Sequence, residues 1–420
     1  MVSAWQDALD APNYTLTEVA DRVESRLFAN LDGLAIGGKP VYDKLLKPAL
    51  IEAIDGGYTT AAALVLLGNG NADDMAAVLD AAVQAEDEQR KGLIRAISIA
   101  KTTAPLVDAL QKRFSSASTD DERALWLTIL NAKHLLPSAP LEMCLISSNT
   151  TLLVAAINTV GIHYSNTDRA RYEPLVHQRM ISSTPDVQYA AIACGLVMGL
   201  DEAWQLCVTL AGSTGTHQKK YLALVALLST REEFTQLVSL LQEPSLSETT
   251  LWCMGLTGDV ASIAHCISFL DSPDPRLAKL AAEAISNITG LDMTEKAFQI
   301  DATLDTDDDE TAESNEEEIP IVDPVESLEL PNPDAVKAWW STKRAAFFPG
   351  KRYVKGNPMN ADTLRKVLEI GPMRLREPLA AAMRIRTGGA RHLSTHAFTT
   401  EQRKQLGKLA SLQDGEFVYF

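Results

Sequence analysis

Through the first 300 positions, polar turns alternate with apolar runs rich in alanine and leucine, and the runs keep helical rather than strand spacing. A unit recurs: a polar turn, an Ala-rich apolar helix, a short break, and a second, amphipathic helix. Its clearest copies are DGGYTTAAALVLLGNG from Asp55, SNTTLLVAAINTVGI from Ser148, PDVQYAAIACGLVMGL from Pro185, THQKKYLALVALLST from Thr216 and PDPRLAKLAAEAISNITG from Pro273. Weaker copies start at Asp87, Asp121 and Ser245. Asp55, Asn149, Asp186, Thr216 and Asp274 read as helix caps, because a short polar side chain can accept a backbone N–H of the first turn. Two turns further on stand Ala62, Ala156, Ala193, Ala223 and Ala281, which this spacing places on one helical face. The interval from Asp55 to Asp274 corresponds to a period of about 31 residues, inside the range of solenoids. Partner helices are expected from Asp73, Ala170, Asp201, Glu232 and Asp259. No run of alternating β-branched residues interrupts this pattern, so the predicted class is all-α, an α-solenoid of stacked helix pairs.

The ends differ from the repeats. Leu16, Val19, Val23 and Leu27 form one apolar stripe that Gly37 and Gly38 terminate, which predicts a helical N-terminal cap over residues 1–38. The solenoid is expected over 39–290, an acidic linker over 291–332 and a basic helical module over 333–420. That module starts rich in proline, glycine and aromatics, and its Ala380, Ala381 and Ala382 resemble the Ala-rich helices.

Charge sharpens these boundaries. The net charge of −17 splits into −13 for residues 1–300, −13 for 301–330 and +9 for 331–420. The middle block has no base and too few apolar residues to offset chain entropy, so it reads as a disordered linker. No apolar run approaches the ~20 residues of a membrane span. The N-terminus has no basic start followed by an apolar stretch, so the expected compartment is the cytoplasm. Five cysteines without a close pair predict buried thiols rather than a disulfide scaffold or zinc site, and Cys194 to Cys207 repeats the interval from Cys253 to Cys266.

Candidate chemistry is sparse. His392 and His396 in HLSTH lack the glutamate that a zinc protease needs after the first histidine. The GNGNAD run from Gly68 follows a helix and reads as a turn. Asp305, Asp307, Asp309 and Glu316 fit four calcium-loop positions, but Glu310 stands where the sharp turn needs glycine. Gly195 and Gly199 predict close helix packing. No metal, cofactor or catalytic residue is expected. Lys343, Arg344, Lys351, Arg352 and Lys355 interleave with Trp339, Trp340, Phe347, Phe348 and Tyr353, a mixture that can bind single-stranded nucleic acid. The strongly acidic chain would repel phosphates at long range. The tryptophans read as packing anchors first. Trp339, Trp340, Arg352 and Tyr353 are the candidates for a protein-partner hot spot, where Trp, Tyr and Arg dominate.

The rhythm after Asp186 and Asp274 resembles short bacterial HEAT repeats. YTLTEVADRVESRLFANLDGLAIGG, the repeats, LPNPDAVKAWWSTKRAAFFPGKRYVKGNP and LEIGPMRLREPLAAAMRI together look like a bacterial HEAT-repeat family encoded beside type VI secretion genes. The resemblance covers nearly the whole chain except the acidic block and supplies no catalytic residue. It implies a cytoplasmic, non-enzymatic adaptor or chaperone for a secreted effector or spike protein. The alternative is an immunity protein that blocks a toxin, which an acidic surface suits when the toxin is basic. A HEAT-like DNA glycosylase is the remote alternative, because it needs a basic concave face.

Overall fold

Helices of this chain start where a short polar side chain can satisfy first-turn N–H groups. In the computed structural model, which describes residues 1–53, 55–163, 169–229, 231–300 and 323–409, Asp55 accepts from Gly57 and Tyr58, Asn149 from Leu152, and Asp274 from Arg276. The other two expected anchors are displaced. Pro185 occupies the first position of its helix, where its missing N–H costs nothing, so Thr184 precedes the helix and Asp186 lies within its first turn. The helix Gln218–Leu228 starts after His217 rather than Thr216. Ala193 and Ala223 are accordingly only half-buried. Counted from the residue that opens each helix, Asp55, Asn149, Thr184 and Asp274, two turns lead to Ala62, Ala156, Ala191 and Ala281, exposed by 2%, 0%, 0% and 0%.

The all-α class holds. Beyond helices, the described residues contain a two-stranded ladder of Tyr353–Val354 against Asn357–Pro358 and isolated bridges. No helix among them is long and apolar enough to cross a membrane. Contacts divide the chain into two units. One comprises Met1–Gln6, Thr17–Trp204 and Thr387–Gln405; the other comprises the described residues of Asp7–Leu16, Gln205–Arg386 and the chain from Leu406.

In the first unit, Gly56–Gly68, Asp87–Ile99, Asp120–Ala132, Thr150–His163 and Pro185–Val197 pack side by side in chain order. These inner helices are apolar on most of their circumference; Gly56–Gly68 buries Thr59, Thr60 and every residue from Ala62 to Leu66. That suits a position between two neighbours. The outer helices bury one stripe, as Ala104–Ser116 does with Leu106, Leu110 and Phe114. Between Asp120–Ala132 and Thr150–His163 a loop and the short helix Glu142–Leu145 replace the outer helix. Gly195 shows the expected close packing, since a Cβ there would lie 2.7 Å from the Ala203 Cβ. Of the predicted N-terminal stripe, Val19, Val23 and Leu27 are internal here, at 1% exposure or less, while Leu16, also buried, belongs to the other unit. Beside it the buried Glu24 carboxylate accepts from Trp5 Nε1 at 2.9 Å and from the Thr399 N–H at 2.9 Å. Thr399 opens the helix Thr399–Lys408, so this carboxylate also meets the positive end of a helix dipole.

In the second unit, Gln218–Leu228, Ser247–Thr257 and Pro275–Thr289 stack in the same manner, and Met373–Arg386 packs against Gln218–Leu228. The segment before it is tied down by Tyr14, whose carbonyl accepts from the Met373 N–H at 2.8 Å. At the flanks of the acidic block, Ile300 N–H donates to the Leu330 carbonyl at 3.0 Å and Asn332 N–H to that of Phe298 at 2.7 Å. Arg276 gathers Glu248, Asp323 and Glu326. Residues 301–322, the middle of the linker expected over 291–332 and the site of the calcium-loop spacing, lie outside the described residues.

All five cysteines are buried and none forms a disulfide. Burial pushes the thiols of Cys207 and Cys266 up to about 12 and that of Cys253 higher still, so they stay protonated and pack as small apolar groups.

Candidate partner-binding surface

The basic-aromatic segment is built on the second unit. The last carbonyls of a helix have no partner within it, and they form the negative end of its dipole. Three inner helices end at this segment, and it supplies their donors. Arg352 reaches two of them: Nε donates to the Thr257 carbonyl, Nη1 to Leu227 at 2.8 Å, and Nη2 to Ala226 at 2.8 Å and Leu256 at 3.2 Å. Arg386 adds a second donor to the Leu227 carbonyl at 2.8 Å. The third helix, Pro275–Thr289, is capped by backbone: Lys355 N–H donates to Asn287 at 2.7 Å and Gly356 N–H to Ile288 at 3.0 Å. Gly258, at φ 67°, lets the Ser247–Thr257 helix end against this hairpin; a Cβ there would lie 2.6 Å from the Tyr353 carbonyl oxygen.

Lys355 itself has φ 47°, a left-handed conformation rare for a residue with a side chain. Its ammonium donates to Ser286 Oγ at 3.1 Å. Burial pushes this amine down to about 8, against the attraction of Glu283 and Asp292. Burial likewise holds the Glu283 carboxyl above its ordinary range, with Arg374 at 3.5 Å pulling the other way.

The four expected hot-spot residues therefore separate. Arg352 directs its guanidinium into the unit to cap helices, and Tyr353 is 3% exposed, its hydroxyl accepting from the Phe348 N–H at 2.9 Å. The physical reason is the demand of unpaired helix-end carbonyls for donors, which a forked cation meets well. Trp339 and Trp340 sit half-buried on the helix Pro333–Lys343. Trp340 meets Phe347 at 5.5 Å between centroids, and Phe347 meets Tyr353 at 5.0 Å, so an aromatic chain links this helix to the buried first strand of the hairpin. Phe348 is 59% exposed, with the Lys351 ammonium 5.3 Å from its ring centre. The part of the segment that faces outward comprises residues 341–346, Phe348 and Lys351, beside the half-buried tryptophans.

Two features escaped sequence reading. Arg376 is 0% exposed, and neither its Nε nor its Nη2 finds an acceptor among the described residues. Burial pushes it down to about 10. Its place in LREPLAAAM offers no clue, because the surrounding alanines and leucines only mark a helix. The second is a ring contact: the His392 ring of HLSTH lies 3.5 Å from that of His134, between centroids.

No family model matches this chain, and no curated protein matches it. Among solved structures, a crystal structure described as that of an engineered protein is similar at 15% identity, over 91% of this chain and 94% of the other, with a TM-score of 0.31. A likeness that shallow carries no argument.

Proposed function

We propose that this chain is a non-enzymatic protein-binding scaffold, acting in the cytoplasm as an adaptor or chaperone for a type VI secretion effector or spike protein. The stacking of successive inner helices in each unit carries the scaffold reading. Rows of helices present broad surfaces suited to another protein rather than to a reacting small molecule. The use of Arg352 and Arg386 on helix-end carbonyls fits the same reading, because these cations serve architecture. The secretion partner comes from the family that the sequence resembles. On the second unit, the half-buried Trp339 and Trp340 beside exposed Phe348 are the contact residues of this proposal.

Purification of the tagged chain from its native host tests this. An effector or spike protein is expected to copurify, and less of it with Trp339→Ala/Trp340→Ala; recovery of no secretion component would count against the reading. The acidic balance of −13 over residues 1–300 favours one alternative, an immunity protein against a basic toxin. Deleting the gene then sensitises cells to toxin delivered by siblings, whereas loss of an adaptor only stops export.

A further inference from the structure

Surface cations of the second unit commonly find acids. Lys337 pairs with Asp271, Lys366 with Asp362 and Arg276 with Asp323. Lys343, Arg344 and Lys351 do not: all three are exposed, and none has an acidic partner among the described residues. Lys343 ends the helix Pro333–Lys343, and Arg344 opens the single turn after it. The contact of Trp340 with Phe347 holds the following loop, which carries Phe348 and Lys351, against the same helix. The three cations therefore share one ledge with the half-buried tryptophans and the exposed Phe348.

The acids that could balance them are tethered at the other end of that helix. Residues 301–322 hold ten acids and no base. Both flanks of the block belong to the second unit. On one side Phe298 accepts from the N–H of Asn332, the N-cap of Pro333–Lys343; on the other, Asp323 pairs with Arg276. Pro333 to Lys343 is about 15 Å along the helix axis. Asp309 stands nine residues beyond Ile300, and that much extended chain reaches up to about 30 Å. The densest run of acids, residues 305–318, is thus within reach of the ledge.

We propose that the chain's own residues 305–318 dock on this ledge and pair their carboxylates with Lys343, Arg344 and Lys351. Charge and tether together select this occupant. Charge alone would also admit a nucleic acid, but such complexes commonly use roughly 6–10 phosphate contacts, and this ledge offers only these cations. A chain of net −17 also repels any free polyanion at long range. The tether offsets that repulsion for the block, because it holds the acids at an effective concentration on the order of millimolar. Each exposed ion pair contributes little by itself, so a protein partner can displace the contact. This consequence rests on the scaffold reading: the block shields Trp339, Trp340 and Phe348 until the partner takes its place.

Lysine footprinting of the full chain tests the proposal, at about 150 mM salt, where a Debye length of about 8 Å screens the general field. Acetylation read by mass spectrometry is compared between the parent and a neutralised chain, in which every Asp of 305–318 is changed to Asn and every Glu to Gln. These changes leave Asp323 and Glu326 in place on Arg276. Lys343 and Lys351 are expected to react roughly fivefold faster in the neutralised chain. Lys91, exposed on the first unit and paired with Glu88, is the reference and should keep its rate. A peptide with the sequence of residues 301–322, added to the neutralised chain at millimolar concentration, should restore the protection. Equal rates at Lys343 and Lys351 in the two chains overturn the proposal, as does an equal change at Lys91. Protection restored by oligothymidylate but not by the peptide would make the ledge a phosphate surface and overturn it too. The footprint involves no partner protein, so its failure leaves the scaffold reading standing, and a failed copurification leaves the docking standing.

Discussion

Arg352 Nη1 donates to the carbonyl of Leu227, 125 residues earlier in the chain, at 2.8 Å. The same guanidinium reaches Ala226, Leu256 and Thr257, so one side chain closes the ends of two inner helices. Arg352→Met is expected to destabilise the second unit by about 3 kcal/mol or more, since several charge-assisted bonds are lost together. Arg352→Lys should recover only a minor part, because a single ammonium cannot span two helix ends as a fork does. Urea unfolding of the three proteins measures this, and a lysine variant as stable as the parent would contradict the capping role.

Arg376 presents the opposite case. It is fully buried, and two of its nitrogens lack acceptors among the described residues. Replacing an unpaired buried cation by an apolar side chain of similar length removes a desolvation cost. Arg376→Met should therefore stabilise the protein, by about 1–3 kcal/mol. A lower unfolding midpoint for this variant would mean that the guanidinium is satisfied in solution, for instance by bound water.

Lys355 makes stability depend on alkaline pH. Its folded-state pKa, about 8, lies below the ordinary 10.5. Between these values the unfolded chain holds a proton that the folded chain has released, so stability rises with pH across that window. Below pH 8 both states are protonated and the cost is fully present. The residue as a whole is half-buried although its ammonium is desolvated, so the cost is discounted to on the order of 2 kcal/mol. Lys355→Met should be more stable than the parent at pH 7, and the gap should close toward pH 10.5. A gap that stays constant when both are unfolded in urea across this range refutes the assignment.

Glu24 holds together segments far apart in the chain. It accepts from Trp5 and from Thr399, 375 residues away. Glu24→Leu strands three buried donors, Trp5 Nε1 and the N–H and hydroxyl of Thr399, and should cost about 3 kcal/mol. Glu24→Gln keeps an acceptor oxygen but loses the charge facing the helix start, so a smaller loss of about 1 kcal/mol is expected. Equal midpoints for Glu24→Leu and Glu24→Gln in thermal unfolding would argue against this.

Helix class, repeat period and the small-residue positions follow from interactions within one or two turns, and local pattern was enough to read them. Asp55 with Ala62, Asn149 with Ala156 and Asp274 with Ala281 are such pairs. The slip to Thr184 and Ala191 is the expected error of that method, because proline can move a helix start by two residues without changing the composition of the run. The buried thiols were equally readable, lying on apolar helix faces. The fate of the basic-aromatic segment was not. Nothing near Arg352 in the chain reveals that carbonyls at Ala226, Leu227, Leu256 and Thr257 await a donor; Gly258 marks a helix end but does not say who meets it. Periodicity reports what a residue does for its own turn, whereas the pairing of polar groups across a hundred residues is settled by which backbone ends the packed helices leave unsatisfied.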